Sequence, residues 1–194
     1  MTSILVVCTG NICRSPMAEG FLRDALDRRL GDRRPEVSSA GTAGWEGAPA
    51  MPESVDAAGG FGVDISEHRG RRITIDMARD ADLLLCMASE HRDMIGSAAP
   101  DLVDRAFTLK ELVRLLEARA SGGDEGLMAR VRAADEARRA SAMAPSRDDD
   151  VADPLGQPPE AYRAIAWELH DLIDRLVDGL YGPGERSDGV AAEA

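Results

Sequence analysis

Residues 4–16 read Ile-Leu-Val-Val-Cys-Thr-Gly-Asn-Ile-Cys-Arg-Ser-Pro. An apolar strand, Ile4–Val7, runs directly into Cys8, and five residues then separate Cys8 from Arg14. Ser15 with Pro16 is a helix-start pair, an N-cap residue followed by a first-turn proline. A loop held between a strand end and a helix N-terminus turns backbone N–H groups toward one point and favours an anion there. A cysteine at that point has its thiolate stabilised by the same field. Arg14 supplies a planar fork able to grip two phosphate oxygens at once. The segment therefore reads as a thiolate aimed at a bound phosphate.

A Cys followed six positions later by Arg is a weak pattern by itself. Its context makes it specific. The strand precedes it, Gly10 stands where the backbone must approach a ligand closely, and Asn11 tolerates left-handed backbone. The competing reading is a structural Cys in an ordinary strand-to-helix turn.

Moving outward, strand and helix patterns alternate. Residues 3–8 predict a strand and 16–30 a helix with Met17, Phe21, Leu22, Ala25 and Leu26 on its inner face. Val37–Ala40 predicts a short strand leading into the glycine-rich stretch Gly41-Thr-Ala-Gly44-Trp45-Glu-Gly47, and 52–60 a second helix. The continuous apolar run Asp82–Met87 suits a parallel strand covered on both faces. A helix from about Ser89, a strand near Arg105–Phe107 and a helix over Leu109–Ala118 follow. In the last helix, about 159–180, Tyr162, Ile165, Ala166, Leu169, Leu172, Ile173, Leu176 and Leu180 recur at helical spacing. The alternation predicts an α/β fold, a doubly wound parallel sheet with helices on both faces and its ligand at the carboxyl ends of the strands.

The chain has 194 residues, which fits one domain, placed here at 1–181, with a polar insertion at about 119–150 and a disordered tail at 182–194. Part of the insertion, about 124–142, reads as an exposed helix. A net charge of −12 argues against nonspecific nucleic-acid binding. No stretch reads as a membrane span or a leader peptide. Three cysteines, two of them in one tight loop, form no disulfide framework. A working thiolate needs a reducing compartment, so a cytoplasmic location is expected.

Cleaving a phosphate ester also needs a proton for the leaving oxygen. Asp153, in Asp148-Asp-Asp-Val-Ala-Asp153-Pro154, is the candidate acid just ahead of the last helix. The neighbouring Asp148, Asp149 and Asp150 are expected to help keep it protonated. A turn rich in Asp and Pro that merely starts a helix is the plainer alternative.

Cys8-Thr-Gly-Asn-Ile-Cys-Arg14-Ser15-Pro16-Met-Ala-Glu19, Ser39-Ala-Gly-Thr42, His68 and Asp153-Pro154 resemble the low-molecular-weight protein tyrosine phosphatase family. The resemblance runs along about residues 3–115 and 150–180. It implies a flavodoxin-like four-stranded parallel sheet, no metal or other cofactor, and a phosphocysteine intermediate. It also implies a phosphorylated protein as partner and a monomer or weak dimer. Carried across, Cys8 is the nucleophile, and Arg14 with the backbone of Thr9, Gly10, Asn11, Ile12 and Cys13 binds phosphate. Asp153 is then acid in the first step and base in the second. Ser15 donates to the Cys8 thiolate, and Asn11, Ser39 and His68 hold the loop in shape.

Substrate choice turns on fewer residues. Tyrosine-specific members carry an aromatic residue after the Asp-Pro, where this chain has Leu155. Phe107-Thr-Leu-Lys-Glu-Leu-Val113, Asp153-Pro-Leu-Gly156 and Tyr162-Arg163 resemble the protein arginine phosphatase branch. That branch places a Thr in the loop where this chain has Ile12, a bulky apolar residue suited to a flat ring. With Trp45 as a further wall, the expected pocket is Ile12, Trp45 and Leu155, and the expected substrate is phosphotyrosine, with phosphoarginine second. Arsenate reduction needs two more cysteines after the third strand, and Ser89–Ile95 has none. A non-catalytic phosphate-binding role would suit a chain lacking Cys8, Arg14 or Asp153. Cys86 reads as a core residue, while Cys13 reads equally as a disulfide partner for Cys8 or as a packed thiol. The insertion suggests a lid or docking surface, with Arg130, Arg132, Arg138 and Arg139 drawing in an acidic substrate, or a solvated excursion with no role.

Overall fold

The computed structural model describes residues 2–118, 126–140 and 147–183. The expected tail from 184 onward, and residues 119–125 and 141–146 of the insertion, lie outside them. Strand β1 (Ser3–Cys8) leads into helix α1 (Arg14–Leu30), and β2 (Glu36–Gly41) follows. Helices α2 (Pro52–Gly59) and α3 (Ile75–Asp80) precede β3 (Leu83–Cys86). Helix α4 (Ser89–Ala98), β4 (Ala106–Thr108) and α5 (Leu109–Glu117) come next, then α6 (Leu127–Ala140) and α7 (Pro159–Tyr181).

The four strands form one parallel sheet in the order β2-β1-β3-β4. Parallel neighbours require a crossover between them, which is why strands and helices alternate. Successive residues of β1 serve opposite layers. Ile4, Val6 and Cys8 join a core that includes residues of α1, α2, α5, α6 and α7, while Leu5 and Val7 join one built with α3 and α4. Covered on both faces, the central strands need the unbroken apolar sequence they have.

Helix α7 buries Tyr162, Ile165, Ala166, Leu169, Leu172, Ile173, Leu176, Val177 and Leu180. Each large apolar side chain so buried contributes roughly 1.5–3 kcal/mol. Intrinsic helix preferences differ by less than about 1 kcal/mol per residue. Packing therefore holds this helix, which has no side-chain cap at its N-terminus. Among the described residues, no helix is long and apolar enough to cross a membrane.

The structure departs from the sequence expectations in three places. Helix α1 starts at Arg14 with Cys13 at the cap position and no side-chain cap bond, so Ser15 is not a cap. Its hydroxyl faces the Cys8 sulfur instead. Pro16 sits in the first helical turn, where its missing N–H leaves nothing unpaired. Helix α3, a single turn capped by Thr74 accepting from Met77 N at 3.2 Å, was not anticipated.

The third departure is α6, which is not a bare exposed helix. Leu127, Arg130, Val131, Ala134 and Asp135 are buried, and the helix packs on α5, α7 and the turn Pro100–Arg105. Arg138 donates to Ala106 O at 3.0 Å and Val103 O at 2.7 Å, and its guanidinium lies 4.3 Å from the Phe107 ring centroid. These contacts tie α6 through Arg138 to the turn Pro100–Arg105 and to β4, the edge strand. Arg130 is buried, Arg138 is engaged with backbone carbonyls, and Arg139 pairs with Asp135 at 2.8 Å. Arg132 is exposed, as is Arg139 beyond its ion pair.

Candidate active site

The loop between β1 and α1 has its carbonyls turned outward and held there. Cys8 O accepts from Thr42 N at 2.9 Å, Thr9 O from Ala43 N at 2.9 Å, and Gly10 O from Trp45 N at 3.0 Å. Asn11 O accepts from His68 Nε2 at 2.8 Å, and Ile12 O from Met51 N at 2.8 Å. A trans peptide plane points its carbonyl and its N–H in opposite directions. Fixing this row of carbonyls outward therefore turns the amides of Thr9 to Cys13 toward the inside of the loop. The close fit needs a bare backbone behind it: a Cβ on Gly41 would lie 2.4 Å from Thr9 O.

Asn11 carries the bend, with φ of 56°. Its side chain is fully paired and explains how a non-glycine residue is kept there. Nδ2 donates to Ser15 Oγ at 2.9 Å and to Ser39 Oγ at 2.8 Å, and Oδ1 accepts from Arg71 N at 2.9 Å. Ser39 in turn donates to Glu19 Oε2 at 2.5 Å. Since Ser15 Oγ accepts from Asn11, its own hydrogen is free for Cys8 Sγ, 2.9 Å away. Asn11 N also donates to that sulfur at 3.3 Å. The expected loop-shaping residues Asn11, Ser15, Ser39 and His68 are thus brought into one network.

Arg14 and Asp153 lie 139 positions apart in sequence and meet directly, Arg14 Nη2 against Asp153 Oδ2. Arg14 is also held by Val151 O at 3.1 Å and Thr9 Oγ1 at 3.3 Å. Val151 is itself docked, its N–H on Met87 O at 2.7 Å just beyond β3. Asp153 Oδ1 accepts from Leu155 N at 3.1 Å, an Asx turn that fixes the carboxylate. Two of the acidic neighbours have partners of their own: Asp149 pairs with Arg114 at 2.9 Å, and Asp150 accepts from Ser89 N at 2.6 Å. The partner that the structure gives Asp153 is Arg14.

Of the three expected pocket residues, Trp45 and Leu155 are 54% and 43% exposed, while Ile12 is 2% exposed. Trp45 Nε1 lies 3.9 Å from where a Cβ on Gly10 would be, and Ile12 Cγ1 lies 3.2 Å from that point. Trp45 therefore stands beside the loop, and Ile12 packs beneath Gly10 as part of the core rather than as an open wall. Cys13 and Cys86 are buried free thiols, and burial pushes them up to about 11 and about 12. Both stay protonated at neutral pH.

Sequence reasoning missed His91. It lies in the first turn of α4, 1% exposed, with Nε2 at 2.9 Å from Thr9 Oγ1. A usable signal was there: residues just after a strand's carboxyl end are where such sheets build sites. Arg71 was missed too, since its part is a backbone N–H on Asn11 and an Nε bond to Ser39 O at 2.8 Å.

The family description "Low molecular weight phosphotyrosine protein phosphatase" matches residues 3–121. The chain is 45% identical over 100 residues to the low molecular weight protein-tyrosine-phosphatase Etp of Escherichia coli (strain K12), a match over 52% of this chain. It spans 64% of the length of that protein. It is 35% identical over 177 residues to the protein-arginine-phosphatase of Geobacillus stearothermophilus, covering 91% of this chain and 95% of that one. Among solved structures, the low molecular weight protein tyrosine phosphatase from T. tengcongensis superposes with a TM-score of 0.69 at 37% identity, covering 93% of this chain and 100% of that one.

Proposed function

Because the chain belongs to the low molecular weight phosphotyrosine protein phosphatase family, we propose that it hydrolyses phosphotyrosine in proteins through a phosphocysteine intermediate. The observation that carries this reading is the meeting of Cys8 Sγ, the inward loop amides, Arg14 and Asp153 at the carboxyl end of β1. The bound phosphate dianion takes the loop amides and the Arg14 fork. The Cys8 thiolate attacks phosphorus in line, the ester P–O bond breaks, and Asp153 gives its proton to the departing phenolic oxygen. Water then attacks the phosphocysteine and gives a proton to Asp153. The P–S bond breaks, and Ser15 O–H stabilises the returning thiolate. No step calls on a metal or cofactor, since positioning and charge stabilisation supply the catalysis. The partner is a phosphorylated protein, the chain acts as a monomer or weak dimer, and its free thiols fit a cytoplasmic setting.

Phosphoarginine is the second reading, favoured by the near full-length similarity to a protein-arginine-phosphatase. Trp45, exposed beside the loop, supports the aromatic substrate by offering a face for a ring to stack on. Rates on matched phosphotyrosine and phosphoarginine peptides decide between them. The expected result is a wild-type preference for phosphotyrosine. A wild-type preference for phosphoarginine would overturn the choice.

A further inference from the structure

His91 takes no part in the mechanism above, yet it is the sole imidazole among the described residues that touches a side chain of the phosphate loop. We propose that His91 is a positioning residue: it orients the Thr9 hydroxyl so that its hydrogen points into the loop and donates to the bound phosphoryl group. The proposal rests on the phosphate-binding part of the function above and adds a side-chain donor to a loop otherwise built from amides and Arg14.

The argument is one of hydrogen-bond capacity. Thr9 Oγ1 has two neighbours, Arg14 Nη2 at 3.3 Å and His91 Nε2 at 2.9 Å. A hydroxyl has one hydrogen and two lone pairs. Arg14 can only donate, so one lone pair is taken. His91 is neutral near pH 7, because burial and then the Arg14 charge push it down to about 4. A neutral ring carries its proton on one nitrogen, and the two choices have different costs.

Nδ1 is buried and meets no polar partner among the described residues. A proton on Nδ1 would be an orphaned buried donor, rarer in folded proteins than an acceptor left unpaired. The carboxylate of Glu90, 3.4 Å from Nε2, also favours the proton on Nε2. With Nε2–H donating to Thr9, both hydroxyl lone pairs are filled. The Thr9 hydrogen is then left for the ligand. Thr9 is half-buried, and its hydroxyl lies 3.3 Å from Arg14 Nη2, beside the fork assigned to phosphate.

The test measures binding of inorganic phosphate by titration calorimetry, with kcat/KM on an aryl phosphate alongside, for the full chain and its variants. Thr9→Val and His91→Leu are each expected to weaken phosphate binding about tenfold, the scale of one hydrogen bond to a charged group. The double variant should be no worse than either single one, because both remove the same donor. His91→Gln, which keeps a side-chain N–H, should recover most of the loss. Additive losses, or a Gln variant as poor as Leu, would overturn the proposal. If His91→Leu does not fold, Thr9→Val decides: phosphate bound as tightly as by wild type overturns it. A wild-type chain that binds phosphate but turns over no aryl phosphate sinks the phosphatase reading and leaves this test intact.

Discussion

Arg14 has two claimants. In the free protein its guanidinium holds Asp153, and in the proposed mechanism it must hold phosphate. Both are anions, and the carboxylate competes with the ligand for the same donors. Asp153→Asn is therefore expected to tighten inorganic phosphate binding about tenfold. It should also slow turnover by roughly 10²–10⁴, the range for losing a general acid. Calorimetry and steady-state rates on one preparation measure both. Phosphate affinity unchanged or weakened would mean that the pairing does not restrain the loop. The residue scale also shows what a sequence can carry. Cys8, Arg14 and Asn11 were legible because a short loop fixes their relations locally. The Arg14–Asp153 pairing spans 139 positions and arises from tertiary folding, so its geometry was not. Ile12 was assigned to a pocket wall from its size, but its burial beneath Gly10 depends on the loop's curl.

Among the elements, α6 changes most between sequence and structure. Its composition is polar, and the apolar residues it does have, Leu127, Val131 and Ala134, are few but share one face. That face packs inward, and Arg138 in its last turn reaches a carbonyl of the edge strand β4. Arg138 is the main tie, bonded to two carbonyls and to Asp135 at 2.6 Å, and stacked on Phe107. Arg138→Ala should cost about 2 kcal/mol of stability, read from the denaturant midpoint. Its kcat/KM on an aryl phosphate should stay within about twofold of wild type. A stable variant with impaired turnover of phosphoproteins would instead restore the docking role. Helix α3 was illegible for a different reason: a single turn is too short to display a helical period, and only its Thr74 cap marks it.

At the scale of the molecule, the apolar runs of β1 and β3 made the doubly wound sheet readable, since only strands covered on both faces are so uniformly apolar. The sheet's purpose is geometric. It delivers Cys8 at the end of β1, Met87 and the anchor for Val151 at the end of β3, and His91 at the start of α4, all on one edge. For the phosphoprotein substrates proposed above, local charge must overcome a net charge of −12, which repels acidic partners at long range. In the proposed function the loop amides and Arg14 supply that attraction at contact distance. The direct test of this account is rapid acid quenching of the protein during turnover of a phosphotyrosine peptide, followed by peptide mass mapping, with Cys8→Ser as partner. The account predicts a phosphoryl group on Cys8 in wild type, and a Cys8→Ser protein that binds phosphate without turnover. A phosphoryl group on another residue, or turnover by Cys8→Ser at the wild-type rate, would contradict it.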